Sequence, residues 1–145
     1  MTAKDQRIHL FLVDDDAVFL KSLEIEFSEA GEFIISTFAT GELCIAHLDK
    51  NPDIIILDYL LNGIDRDAMH GIDTLDQIKT YDDTIPVIML SGQDSIDVAI
   101  NCMHHKAYDY VVKSETAFVR LRNNITAALH LKKTERTLKW FVDRM

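Results

Sequence analysis

Pro52-Asp53-Ile54-Ile55-Ile56-Leu57-Asp58 reads as a buried strand that ends in a carboxylate. Four apolar residues in succession, with no polar alternation, suit a strand covered on both faces, as in the parallel sheets of α/β proteins. Asp58 then falls at the carboxyl end of a central strand. That is the edge of an open α/β sheet where ligands bind.

The same pattern recurs on either side. Ile8 to Val13 is an apolar run that stops at Asp14, Asp15 and Asp16, and Phe33 to Phe38 is a short strand. Pro86 to Leu90 is followed by Ser91 and Gly92, and Tyr108 to Val112 by Lys113 and Ser114. Helical spacing fills the intervals. Ala17 to Ala30 carries Phe19, Leu20, Leu23 and Phe27, with Gly31 as its stop. Thr40 caps a helix with Leu43, Ile45, Ala46 and Leu48, ended by Asn51-Pro52. Gly71 to Thr80 turns Ile72, Leu75 and Ile78 inward, and Asp94 to His105 offers Ile96, Val98, Ala99 and Met103. A last helix starts near Ala117 and runs to the end. Five repeats of strand then helix predict an α/β fold, a (βα)5 doubly wound sheet of five parallel strands. Right-handed crossovers favour the order 2-1-3-4-5, which makes the first and third strands neighbours. Asp14, Asp15 and Asp58 then converge although they lie far apart in the chain.

Composition narrows the function. The chain has 145 residues, 48% hydrophobic and 27% charged, enough for one domain with its own core. No apolar run approaches a membrane span, and the N-terminal residues lack a secretory signal's apolar core, so a cytoplasmic protein is expected. The net charge of −9 argues against nucleic acid as a partner. Cys44 and Cys102 fall among helix-patterned residues and read as buried reduced thiols.

Four strand ends thus deliver acids, a hydroxyl and an ammonium to one rim. Clustered Asp14, Asp15 and Asp58 repel, and at least one pKa should rise. A hard dication such as Mg2+ removes that repulsion with oxygen ligands. Asp58 is then placed to attack phosphorus and form an acyl phosphate. Phosphoryl transfer depends mainly on positioning and charge neutralisation. Lys113 offers a cation for one phosphoryl oxygen and Ser91 a hydroxyl for another, while Gly92 leaves room beside Asp58.

Leu12-Val13-Asp14-Asp15, the Pro52 to Asp58 strand, Pro86 to Gly92 and Ala107 to Lys113 together resemble the receiver domain of two-component response regulators, from about Arg7 to about Leu131. The resemblance implies a flavodoxin-like fold and a phosphoprotein rather than an enzyme that turns over a substrate. By that resemblance Asp58 is the phosphoacceptor. Asp15 ligates Mg2+ directly, Asp14 acts mostly through water, and the Leu60 carbonyl completes the protein ligands. Ser91 is the switch hydroxyl, Tyr110 the aromatic that turns with it, and Lys113 pairs with the phosphoryl group. The implied partner is a sensor histidine kinase or a phosphotransfer protein.

Some positions depart from the family pattern. Asn62 stands where a Pro is usual, and the loop from Asn62 to His70, with Asp65, Arg66, Asp67 and His70, is longer than usual. It reads as a solvated loop, or as a cover over the acceptor. Ser114 replaces the usual Pro after the Lys, so a trans bond is expected there, or else a strained cis bond kept for a reason. Leu60 and Gln93 flank the expected path of attacking water. Residues 1–131 form the receiver domain on this reading, and 132–145 extend the last helix. That extension carries Lys132, Lys133, Arg136, Lys139 and Arg144 against Glu135 and Asp143, with Leu131, Leu138, Trp140, Phe141 and Met145. It reads as a helix folded onto its own domain, a dimerising helix for a homodimer, or the start of a connector, with no Gly or Pro stop before Met145.

Three other functions compete with this one. An aspartyl-phosphate hydrolase would want an acid two residues past the nucleophile, where Leu60 stands. A cofactor-binding flavodoxin-like module would want a phosphate loop after the first strand, where Asp14, Asp15 and Asp16 repel one. The alternative that survives is a pseudo-receiver that is never phosphorylated and acts through protein contacts.

Overall fold

The structure is a computed structural model, and it describes residues 6–63 and 66–145. Within these residues the chain alternates strand and helix. The strands are β1 (Ile8–Val13), β2 (Phe33–Phe38), β3 (Ile54–Asp58), β4 (Val87–Ser91) and β5 (Asp109–Val112). The helices are α1 (Ala17–Ser28), α2 (Gly41–Ala46), α3 (Gly71–Tyr81), α4 (Ile96–His104) and α5 (Ala117–Asp143). The sheet order is β2-β1-β3-β4-β5 with every pairing parallel, the predicted arrangement.

Strand alternation sorts the apolar residues into two cores. Phe11, Val13, Ile55, Leu57, Val87 and Met89 face α2, α3 and α4, meeting Cys44, Leu75, Ile78 and Cys102. Leu10, Leu12, Ile54, Ile56, Ile88 and Leu90 face α1 and α5, meeting Leu23, Phe27, Leu121 and Ile125. Each buried Leu or Ile contributes roughly 1.5–3 kcal/mol, so both faces hold the sheet between helix layers. Every residue of β3 is buried, as its unbroken apolar run requires.

Local chemistry sets the helix starts. Asp16 accepts from the amides of Val18 and Phe19, Thr40 from Leu43, and Ser95 from Val98. Gly31, at φ 68, turns the chain out of α1. Burial pushes the Cys44 thiol up to about 12 and the Cys102 thiol up to about 11, consistent with inert core cysteines.

Two helix faces differ from the sequence reading. Ile96 and Met103 are exposed, and α4 instead buries Cys102, with Val98 one turn before it packed on the same core. In α2, Leu43 and Ala46 are exposed while Gly41 and Cys44 are buried. Short helices carry apolar residues on more than one side, and docking to the sheet chooses between them. The second helix also ends at Ala46, and a 3-10 turn over Leu48–Lys50 completes the approach to β3. No peptide bond among the described residues is cis, so Lys113-Ser114 is trans as expected. Asp65 lies outside the described residues.

Candidate functional site

Register brings the chemistry together. Val13 pairs with Leu57, so Asp14 and Asp58 each stand one residue beyond a matched pair. Asp58 pairs with Leu90, and Ser91 with Val112, the residue before Lys113. The chain is held taut at this rim. Asp14 N–H donates to Phe38 O, Tyr59 N–H to Leu90 O at 2.7 Å, and Lys113 N–H to Ser91 O at 2.7 Å.

Asp14 and Asp58 are buried, at 2% and 3% exposure, and Asp15 is half-buried beside them. One carboxylate oxygen from each of the three lies within 4.8 Å of the others. Lys113 Nζ reaches between two of them, 2.8 Å from Asp14 Oδ2 and 3.4 Å from Asp58 Oδ2. The Phe19 ring lies 4.8 Å under the same ammonium. Asp14 also accepts from the Asp16 amide at 2.9 Å.

Burial, then the charge of Asp14, pushes the Asp58 carboxyl up to about 8. Lys113 and a hydrogen bond from the Leu60 amide pull the other way and do not win. Burial disfavours the Lys113 ammonium, but its bond to Asp14 and the charges of Asp58 and Asp14 outweigh that and raise its pKa. One cation is therefore short of balancing three acids. Octahedral Mg2+ holds oxygens at about 2.0–2.1 Å, hence up to about 4.2 Å apart, close to the spread of this trio. An all-oxygen set of that size fits a small hard dication.

The remaining predicted residues lie around this centre. Leu60 has an exposed side chain, and its amide serves Asp58. Ser91 is buried, and its Oγ accepts from the Gln93 amide at 3.1 Å. Tyr110 is half-buried, and its hydroxyl donates to the Gln93 carbonyl. A single residue, Gln93, thus ties Ser91 to Tyr110, which no sequence spacing indicated. The loop after β3 is pinned at both described ends: Gly63 N–H donates to Asp15 Oδ2 at 3.1 Å, and Met69 N–H to Glu42 at 2.9 Å.

Fold and site together define an α/β protein with a carboxylate trio and a lysine at the switch point of its sheet. The chain belongs to the response regulator receiver domain family of two-component systems, which matches residues 10–126. It is 32% identical over 109 residues to the DNA-binding transcriptional regulator NtrC of Salmonella typhimurium, covering 74% of this chain and 22% of that one. It is 30% identical over 111 residues to the two-component response regulator ORR27 of Oryza sativa subsp. japonica, covering 77% and 17%. Among solved structures, NtrX from Brucella abortus superposes with a TM-score of 0.82 at 26% identity, over 94% of this chain and 30% of that one. The chain thus spans about a fifth of the length of these two curated relatives.

Proposed function

We propose that the chain accepts a phosphoryl group on Asp58 from a histidine kinase or phosphotransfer protein, and that Ser91 and Tyr110 pass the event to a partner surface. The observation that carries this reading is the convergence of Asp14, Asp15 and Asp58 with Lys113 at one rim. A carboxylate oxygen of Asp58 attacks phosphorus, the P–N bond of the donor phosphohistidine breaks, and the leaving imidazole takes a proton. Asp58 must be ionised to attack, and Lys113 favours that form. Asp14, Asp15, Asp58 and the Leu60 carbonyl would hold Mg2+, which when bound would supply charge neutralisation for the moving group. Lys113 then pairs with one phosphoryl oxygen. Ser91 donates its O–H to another, and as its oxygen turns toward the phosphoryl group it draws on the Gln93 amide that it accepts from. Tyr110, bonded to the same residue, follows. The exposed strip Ile96, Ile100 and Met103 on α4, the helix that follows Gln93 in the chain, is the surface whose partners change. We place the protein in the cytoplasm. Among the described residues no helix is long and apolar enough to cross a membrane.

Intact mass after incubation with a small phosphodonor and Mg2+ tests the reading. Wild type gains one phosphoryl group, and Asp58→Asn gains none. A wild type that never gains it leaves the pseudo-receiver as the better description.

Self-association is the second part of the proposal. Beyond Lys132 every residue of α5 is exposed, which leaves this end of the helix free to meet a second copy. Leu131, Thr134, Leu138, Phe141 and Met145 follow one another at spacings of three and four, the seam of a two-stranded coiled coil. Leu138 is 63% and Phe141 57% exposed, more apolar surface than an isolated helix needs. We divide the chain accordingly, into a receiver over 1–131 and a dimerising extension over 132–145. Sedimentation velocity is expected to give a concentration-dependent dimer for wild type and a monomer for Leu138→Glu/Phe141→Glu, with unchanged thermal stability at concentrations where wild type is monomeric. A double variant that still dimerises moves the interface elsewhere.

A further inference from the structure

Gly63 makes a contact that the proposed chemistry leaves unexplained. Its N–H donates to Asp15 Oδ2 at 3.1 Å, across 48 positions of the chain. Asp15 is the least enclosed member of the trio: Asp14 and Asp58 are buried, and it is only half-buried. Asp14 is held by Lys113 and by the Asp16 amide, and Asp58 by Lys113 and the Leu60 amide. Repulsion from two enclosed carboxylates pushes the third toward water. A backbone donor opposes that push, because a hydrogen bond to an ionised carboxylate is charge-assisted. The fit is close: a Cβ at position 63 would lie 3.3 Å from Asp15 Oδ2 and 3.7 Å from Leu60 Cδ2. The bond coexists with convergence of the three carboxylates, so it holds Asp15 where a cation needs it.

We propose that Gly63 is a positioning residue: its amide holds Asp15 in the arrangement in which the trio takes a divalent cation. The loop after β3 thereby sets the metal affinity of the site. This rests on the reading of Asp14, Asp15 and Asp58 as the Mg2+ ligands. Groups that orient metal-ligating carboxylates typically change affinity by about 10–100-fold when removed. Gly63→Pro deletes the donor, whereas Gly63→Ala keeps it and brings a Cβ to 3.3 Å from Asp15 Oδ2, a contact that asks that oxygen for a shift of only a few tenths of an ångström.

Calorimetric titration of the full chain with MgCl2 decides the matter. Gly63→Pro is expected to bind roughly tenfold more weakly than wild type, and Gly63→Ala within about threefold. Unchanged affinity in Gly63→Pro overturns the proposal, and so do equal losses in both variants. Should Gly63→Pro not fold, the Gly63 amide resonance of wild type is the second measurement. It is expected to shift on Asp15→Asn and on Mg2+ addition, and an amide indifferent to Asp15→Asn overturns the proposal. If wild type and Asp58→Asn both bind no Mg2+, the metal reading fails and this proposal with it. Tight binding that ignores position 63 removes this proposal alone.

Discussion

Asp58→Asn is expected to stabilise the domain in the absence of divalent cations, and to do so more strongly at pH 8 than at pH 5. Asp58 is 3% exposed, and burial and Asp14 hold its carboxyl up to about 8, against about 3.9 in an unfolded chain. Between those values the unfolded chain has released a proton that the folded chain keeps. The folded state binds more protons, so stability falls as pH rises through that window. Asn has no such slope. The gap between variant and wild type therefore opens above about pH 4 and levels off above about pH 8. Its size is on the order of 1–3 kcal/mol at pH 8, since relaxation and Lys113 absorb part of the shift. The raised pKa of Lys113 acts in another range: its contribution is complete below the ordinary lysine value and fades only above it. Urea denaturation of both proteins at pH 5 and pH 8, in chelator, measures the difference. A difference of the same size at both pH values would show that Asp58 carries no stored repulsion.

The rim could be read from the sequence because each functional residue stands directly after an apolar run. Asp14, Asp58 and Lys113 inherit their positions from strands whose register the sheet imposes. The inner stripe of α5 was equally legible, since Leu121, Ile125 and Ala128 keep helical spacing over several turns. The faces of α2 and α4 were not. Cys102, one turn after Val98, competed with Ile96 and Met103 for the inward side, and a nine-residue helix has too few turns to decide by periodicity. Gln93 and Gly63 act through their backbone groups, in Gln93 both amide and carbonyl and in Gly63 the amide. Every residue except Pro carries both groups, so the sequence marks neither residue for these contacts. The length of the loop after β3 is legible in the sequence, but its hold on Asp15 and Glu42 is tertiary.

Gly71→Ala is expected to cost more than any other exchange of a glycine for alanine outside the Gly41 contact. A Cβ at position 71 would lie 2.4 Å from Asp58 O, 2.6 Å from Tyr59 O and 2.8 Å from Tyr59 Cα. All three are backbone atoms, so no side chain can swing aside. They belong to the last residue of β3 and the residue after it, where the Tyr59 amide is bonded to Leu90 O and the Gly71 amide to Tyr59 O. Relief requires α3 to lift or the acceptor end of β3 to shift. Overpacking of this kind costs typically 1–3 kcal/mol, and here it acts on the residue that presents Asp58. Two effects should therefore appear together: a lower denaturation midpoint, and weaker Mg2+ binding with slower uptake of label from a small phosphodonor. Gly92→Ala is the control, because a Cβ there meets nothing within 4 Å although the site is close in sequence to Ser91. It should leave the midpoint unchanged. Loss of stability in Gly71→Ala with Mg2+ affinity intact would mean that α3 yields and the strand does not. The close approach of helix to strand would then serve packing rather than the placement of Asp58.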